Sequence, residues 1–236
     1  MFQFTFKNIK AEFEAVLDSG YRVITCYEYI GYKKALEKEK ILVNRVDIDY
    51  SVKKTAFLVE IFNDLNIKAT FFLRLHAPEY NPFSFENYRI IKHLIESGHE
   101  LGYHSEVIDQ SLIWNENAAE CLKRDIEIIN NMFGISIKGI ASHGGMTGNN
   151  NLDFWKDKTA TDFGLFYEAY DKQPQFNLFQ ESFYVSDSEW TRWKCYDKGI
   201  LLNDNRSSLS EHAMQNHQVL HSLIHPDTYF HNHFYE

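Results

Sequence analysis

The chain has 236 residues, with 24 basic and 33 acidic side chains, and a formal net charge of −9 at pH 7. Hydrophobic residues make up 44% and charged residues 24%, close to globular averages, which excludes a largely disordered chain. The acidic balance argues against binding to nucleic acid or to an anionic membrane surface. This length predicts a single domain over residues 1–236.

The cysteine content and the hydropathy pattern predict the cellular compartment of the protein. Cys26, Cys121 and Cys195 lie far apart and form no C-x-x-C pair. A sparse, odd set of cysteines predicts reduced thiols and a cytoplasmic protein. The N-terminus shows no basic start followed by an apolar run, so we expect no secretory signal. No apolar stretch approaches the ~20 residues needed to cross a bilayer, which predicts no membrane span.

The first two thirds of the chain show regular helix and strand patterns. A short amphipathic helix is predicted over 8–19 and ends at Gly20. The later predicted elements, in chain order, are a strand at 22–26, a helix at 29–39, a strand at 41–46, a helix at 52–65, a strand at 69–73, a helix at 85–97, a strand at 99–104, a helix at 115–133 and a strand at 138–142.

The remainder of the chain is less regular. Residues 144–164 are rich in Gly and Asn, which predicts a loop-rich segment. Short strands are predicted at 165–169, 183–186, 199–203 and 219–224. Alternating strands and helices in the middle of the chain favour parallel strands with right-handed crossovers, and hence an α/β fold of barrel-like type. Such folds bind ligands at the carboxyl ends of their strands.

Polar side chains suited to metal binding or proton transfer follow four of these strands. They are Asp47 and Asp49, then His104 with Glu106, then His143, and finally His225. Because parallel strands end at a common rim, we expect these side chains to converge. A mixed set of carboxylates and imidazoles suits a divalent metal such as Zn²⁺, which accepts both nitrogen and oxygen ligands.

Each residue taken alone also has a structural interpretation. Asp49 could cap the helix predicted from residue 52, and a single histidine at a strand end more often serves surface or hydrogen-bonding roles. Trp190 and Trp193 could stack on a sugar or pack against the core, and both alternatives stay open. The joint placement of the strand-end residues, rather than any one of them, indicates a site.

Four motifs in this part of the chain are distinctive. They are Val46-Asp47-Ile48-Asp49, Lys68-Ala69-Thr70-Phe71-Phe72, Ser97-Gly98-His99-Glu100-Leu101-Gly102-Tyr103-His104-Ser105 and Leu223-Ile224-His225. Their order and spacing resemble the polysaccharide deacetylase family, the NodB-homology fold of carbohydrate esterase family 4, over residues 41–225. Three further runs are most similar to a WbmS-like branch associated with O-antigen and surface-polysaccharide synthesis: Ser142-His143-Gly144, Ser186-Asp187-Ser188 and a terminal L-I-H-P. The resemblance implies a distorted (β/α)7-type barrel.

The resemblance also implies a divalent metal, expected to be Zn²⁺, bound by Asp49 and His104. The family carries a second histidine where this chain has Ile108, so the third ligand must come from elsewhere. His143 is the preferred third ligand because it keeps the imidazole ligand type. Glu106 remains the alternative.

Proton transfer can be assigned in the same way. The family's first aspartate falls at Ile48, which cannot accept a proton. Asp47 lies on the same strand face as Asp49, so we expect it to be the general base or a second ligand. The family's final motif places His225 as the expected general acid. The family's R-x-P motif is absent, and Ser142-His143-Gly144 stands in its place.

The implied function is metal-dependent hydrolysis that removes an N-acetyl group from a sugar. The implied substrate is a nucleotide- or lipid-linked amino sugar in surface-polysaccharide biosynthesis of the O-antigen type. Glu106, Tyr103 and Trp193 are the expected sugar contacts.

Two other functions stay open. The differences at Ile48 and Ile108 favour, as the alternative, a catalytically impaired protein of deacetylase fold that binds a carbohydrate or a biosynthesis partner. Asp47 and Glu106 could instead form the carboxylate pair of a metal-free glycosidase. Metal content and acetate release separate these functions.

Overall fold

The computed structural model describes residues 2–35 and 39–233. The helices are α1 (Phe6–Asp18), α2 (Cys26–Ala35), α3 (Val52–Asp64), α4 (Phe85–Glu96), α5 (Val107–Trp114), α6 (Ala118–Phe133), α7 (Leu178–Glu181) and α8 (Leu209–Met214). Short 3₁₀ helices cover Asn151–Lys156, Ala160–Phe163 and Pro226–Thr228. The predicted helix over 29–39 corresponds to α2, and its residues 36–38 lie outside the described residues.

Within the residues that the structure describes, ten strands form one sheet. They are β1 (Arg22–Ile24), β2 (Ile41–Ile48), β3 (Thr70–Leu73), β4 (Glu100–Ser105), β5 (Gly139–Ser142), β6 (Tyr167–Glu168), β7 (Phe183–Ser186), β8 (Lys194–Asp197), β9 (Ile200–Leu202) and β10 (Val219–Ile224). Their order is β6-β5-β4-β3-β2-β10-β7-β8-β9, with β1 beside the first half of β2.

Parallel pairing dominates this sheet, which confirms the predicted α/β class. In the sheet order, each pair of neighbouring strands between β6 and β7 is parallel. Among the described strands, the β7–β8 and β8–β9 pairs are antiparallel. The predicted closure into a (β/α)7-type barrel is not observed. Among the described residues, β6 and β9 stand at opposite ends of the order and no ladder joins them.

Strand β2 lies at the middle of the sheet, and all eight of its residues are buried. One edge pairs with β10, while the other pairs first with β1 and then with β3. Side chains alternate between the two faces of a strand. Leu42, Val46 and Ile48 therefore pack into the larger hydrophobic cluster under the helices. Arg45 and Asp47 point to the opposite face, and the next side chain of that series, Asp49, follows the end of the strand.

Helix starts are set locally by polar caps. Ser51 accepts a hydrogen bond from the backbone N–H of Lys54 at the start of α3. Ser84 accepts one from the backbone N–H of Asn87 at the start of α4. Asn117 accepts from two backbone N–H groups at the start of α6. These helices then bury their apolar stripes against the outer face of the sheet. Among the described residues, no helix combines the length and apolar character that crossing a membrane requires.

Candidate active site

A cavity of about 270 Å³ opens at the carboxyl ends of β2, β4, β5 and β10. Its walls include Asp47, Asp49, His104, His143 and His225. These five side chains come from four different strand ends, and the parallel register brings those ends to one rim. The structure thus gathers the predicted catalytic and metal-binding residues around one space.

Asp47 is held by an arginine from its own strand. The Nε and Nη2 atoms of Arg45 donate to the two carboxylate oxygens of Asp47 at 2.8 and 2.7 Å, and both side chains are buried. Burial by itself would raise the pKa of Asp47, but the Arg45 guanidinium outweighs it, and the pKa lies below its usual value. Asp47 is therefore ionised at neutral pH. In the sequence, the i, i+2 spacing of Arg45 to Asp47 is the only sign of this pairing.

Asp49, His104 and His143 form the candidate metal centre. One ligand atom from each side chain lies within 4.8 Å of the others. Asp49 Oδ1 is 3.3 Å from His104 Nε2 and 4.0 Å from His143 Nε2. The capping role considered for Asp49 falls instead to Ser51. One carboxylate and two imidazoles are a ligand set that leaves room for water or substrate on a tetrahedral ion.

The protonation of His104 tests whether these residues fit a cation. His104 Nδ1 lies 2.9 Å from the carbonyl oxygen of Ala141, so Nδ1 carries the proton in the neutral ring. The bare Nε2 then faces Asp49 Oδ1, a buried oxygen that accepts no well-directed hydrogen bond. Two acceptors in this position need a proton or a cation between them. The residues therefore fit a divalent metal ion.

The surrounding charges agree with this reading. Burial lowers the pKa of His104, but the Asp47 and Asp49 carboxylates outweigh it and raise the pKa above its usual value. Burial also opposes ionisation of Asp49, yet the neighbouring histidines hold its pKa well below the usual range. The cluster thus stabilises positive charge beside Asp49. A metal ion at this point would take the place of the His104 proton.

Glu106 lies behind His143 rather than on the cavity wall. Its Oε1 accepts from Arg74 Nη2 at 2.7 Å and lies 3.5 Å from His143 Nδ1. Arg74 also donates to the backbone oxygen of Asp49 at 3.0 Å. Of the two alternatives for the third ligand, His143 belongs to the triad, and Glu106 lies behind its ring. Since Glu106 is buried against Arg74, it does not reach a sugar in the cavity.

His143 is suited to ligation by its protonation state. Burial and the positive charge of His104 lower the pKa of His143, and the nearby carboxylates only partly oppose them. The neutral ring is the form that binds metal. Arg74, the partner of Glu106, was not identified from sequence.

His225 is paired with a buried aspartate. Its Nδ1 lies 2.5 Å from Asp187 Oδ1, and its backbone N–H donates to Asp187 Oδ2 at 2.9 Å. The other ring nitrogen, Nε2, is 3.8 Å from Asp49 Oδ2. Burial lowers the pKa of His225, but Asp187 and then Asp49 outweigh it and raise the pKa to about 9. Asp187 was visible in the Ser186-Asp187-Ser188 run, but no role could be assigned to it.

The structure separates the two tryptophans. Trp190 lines the cavity, with its ring 6.4 Å from that of His225 and 5.7 Å from that of Tyr50. Its φ of 63° lies in the left-handed region, which is unusual for a bulky residue. Trp193 is 1% exposed and packs between Phe2 and Phe4. Trp193 therefore does not reach the cavity, against the prediction that it contacts a sugar.

Tyr103 also lies away from the cavity. Strand alternation turns it to the face opposite His104, where it is fully buried. Its hydroxyl donates to Asp125 at 2.6 Å. Tyr103 is a core residue rather than the predicted sugar contact.

No protein-family model and no curated protein sequence matches the chain. Solved structures similar to it include the catalytic domain of peptidoglycan N-acetylglucosamine deacetylase from Eubacterium rectale ATCC 33656. The identity is 19%, over 78% of this chain and 76% of that one, with a TM-score of 0.46. The chitin deacetylase of the fungal pathogen Colletotrichum lindemuthianum is also similar, at 18% identity and a TM-score of 0.33. That match spans 43% of this chain and 45% of the chitin deacetylase chain, less than half of either.

Proposed function

We propose that this protein is a metal-dependent hydrolase that removes an N-acetyl group from a sugar. One observation carries the proposal: Asp47 and His225 flank the Asp49–His104–His143 triad in a single cavity, each held by a buried partner of opposite charge. Amide hydrolysis needs a base near the attacking water and an acid near the leaving nitrogen. The motifs described above support the same chemistry.

The metal would be held by Asp49, His104 and His143, and we expect Zn²⁺. A bound ion of this kind supplies Lewis acidity, which lowers the pKa of water and stabilises developing negative charge on an amide oxygen. Asp47 is ionised and lies 3.2 Å from His104 Nε2, at the edge of the triad. It accepts the proton that the attacking water loses. Arg45 keeps its carboxylate oriented during this step.

His225 acts on the other side of the cavity. Asp187 fixes the ring through Nδ1 and leaves Nε2 facing the triad. With its pKa raised to about 9, the ring carries a proton at neutral pH. It donates that proton to the leaving amine as the C–N bond breaks. Acetate and an amino sugar are the products.

The substrate class follows from the mouth of the cavity. Trp190 and Tyr50 present aromatic surface beside His225, and aromatic rings stack on the apolar faces of sugars. The proposed substrate is a nucleotide- or lipid-linked amino sugar of O-antigen type, and the WbmS-like motifs support this choice. The three cysteines are free thiols, which supports a reducing compartment such as the cytoplasm.

A carbohydrate-binding protein without turnover is the second candidate. The favouring observation is the bidentate Arg45–Asp47 pair, because a carboxylate with a lowered pKa is a weaker base. The metal-free glycosidase is not favoured, since Glu106 is buried against Arg74 and does not line the cavity.

The first test is the Asp49→Ala variant. Loss of the only carboxylate in the triad is expected to abolish both zinc uptake and acetate release while the chain stays folded. Elemental analysis measures the metal, and acetate release from N-acetylated sugars measures turnover. The Asp64→Ala variant, which removes an exposed carboxylate on α3, is the control.

Two results would count against the enzyme. Full acetate release by Asp49→Ala would exclude the proposed centre. Sugar binding by a wild-type chain that takes up no metal at any loading would support the binding protein instead.

A further inference from the structure

We infer that Asp109 and Asn151 are positioning residues that hold the loop carrying His143 and thereby set the metal affinity of the Asp49–His104–His143 centre. The inference deepens the proposed function and rests on it. Neither residue touches the cavity; both act through His143.

The loop after β5 has little to hold it in place by itself. Residues 144–150 are all exposed and include three glycines, Gly144, Gly145 and Gly148. Glycine loses more backbone freedom on ordering than other residues. A ligand that begins such a loop needs an anchor from elsewhere in the fold.

Asp109 supplies that anchor from the first turn of α5. It is 1% exposed, and its carboxylate accepts from the backbone N–H of Met146 at 3.0 Å and of Thr147 at 2.9 Å. It also accepts from the Thr147 hydroxyl at 2.7 Å and from Asn151 Nδ2 at 2.7 Å. One buried carboxylate thus gathers donors from the middle and the end of the loop.

Asn151 connects this anchor to the ligand. Its side chain is fully buried, and Oδ1 accepts from the backbone N–H groups of Ile108 and Asp109 at 2.9 and 3.1 Å. Its Nδ2 donates to Asp109 and, at 3.2 Å, to the carbonyl oxygen of His143. The amide therefore binds the start of α5 and the backbone of the ligand at once.

Residues 106–109 lie close to the ring of His143 and are linked to its backbone. Glu106, directly before α5, lies 3.5 Å from His143 Nδ1, and Asn151 joins α5 to the His143 carbonyl. Since Ile108 has no ligating side chain, residues 106–109 contribute orientation rather than a ligand. A small displacement of His143 would weaken the centre, because ligand geometry must be held within a few tenths of an ångström.

The test is zinc affinity, measured on the metal-stripped full chain by competition with a chromogenic chelator. Asp109→Asn places an NH₂ group opposite backbone donors and is expected to weaken zinc binding roughly 10–100-fold, the usual range for outer-shell partners. Thr147→Val removes one of the hydrogen bonds and is expected to have a smaller effect in the same direction. Amide exchange over residues 144–150 should speed up in the same order.

Asp125→Asn is the matched control. Asp125 is also fully buried and hydrogen-bonds to the side chains of Tyr103, Gln110 and His76, and among the described residues no hydrogen bond joins it to the loop. This variant is expected to lower the melting temperature while leaving zinc affinity unchanged. It separates a general loss of stability from a loss of positioning.

The outcomes are distinct. Wild-type zinc affinity in folded Asp109→Asn and Thr147→Val overturns the inference, as does a wild-type chain that binds no zinc. The predicted loss of affinity in a chain that releases no acetate from any N-acetylated sugar supports the inference and removes the proposed reaction alone.

Discussion

At the scale of single residues, the site depends on pairs in which one member sets the charge of the other. Arg45 holds Asp47 ionised, and Asp187 holds His225 protonated. Both partners are buried, where Coulomb interactions are stronger than in water. Sequence alone could indicate the reacting residue of each pair but not its partner, because a single arginine or aspartate carries no pattern of its own.

Asp187→Asn tests one of these pairs. The amide keeps the shape of the side chain but loses the negative charge that favours protonated His225. We expect the turnover number to fall by about 10²-fold or more, the usual contribution of a general acid. Zinc affinity should not change, since Asp187 lies outside the triad.

The control replaces Asp197, an exposed carboxylate on β8, by Asn and should retain activity. Unchanged turnover in Asp187→Asn would contradict the role given to His225.

At the scale of elements, the inner face of β2 combines stability and function. Arg45 and Asp47 both point inward, and Arg45 also lies over the rings of Phe72 and Tyr170. A buried ion pair is costly to break and often no more stable than apolar packing of similar volume. The proposed reaction therefore explains the pair better than the stability of the fold does.

This explanation predicts opposite effects of single and double substitutions. Arg45→Met leaves a buried carboxylate unpaired and should lower the free energy of unfolding by about 3–5 kcal/mol. Arg45→Met combined with Asp47→Leu should recover most of that loss, while acetate release stays absent. Urea unfolding measures the stabilities. A double variant no more stable than Arg45→Met would show that the pair serves the fold.

Helix α5 was not predicted from the sequence. Its eight residues form only about two turns, too few for a helix that is stable by itself. It forms because it packs against α6 and residues 151–156. Strand β8 was missed for a similar reason, since its exposed end and mixed pattern give no clear alternation. In contrast, α3, α4 and the core of β2 were predicted to within a few residues from apolar periodicity and capping.

At the scale of the whole molecule, stability toward acid involves a histidine at the far end of the sheet. His99 is buried against Phe71, and its Nδ1 accepts from the backbone N–H of Ala69 at 3.3 Å. Burial lowers its pKa from 6.5 to about 4. Between these values the unfolded chain binds a proton that the folded chain does not, so stability is lost as the pH falls from 6.5 toward 4.

His99→Leu should remove this share of the pH dependence, which amounts to about 3 kcal/mol across the window. The free energy of unfolding of both chains is measured by urea at several pH values between 4 and 7, and the difference between them should change by that amount in favour of His99→Leu as the pH falls. Equal slopes for wild type and His99→Leu would contradict the neutral, buried state of His99.

The amino-acid sequence by itself determined the α/β class, the order of most elements and the strand ends that carry Asp47, Asp49, His104, His143 and His225. These follow from periodicity and caps, which act between residues near in sequence. The tertiary structure alone decided that the described strands form an open order, that Trp190 rather than Trp193 faces the cavity, and that Arg45, Asp187 and Glu106 lie beside Asp47, His225 and His143. Those outcomes depend on which distant group a side chain meets once the strands are in register, and local spacing does not encode that.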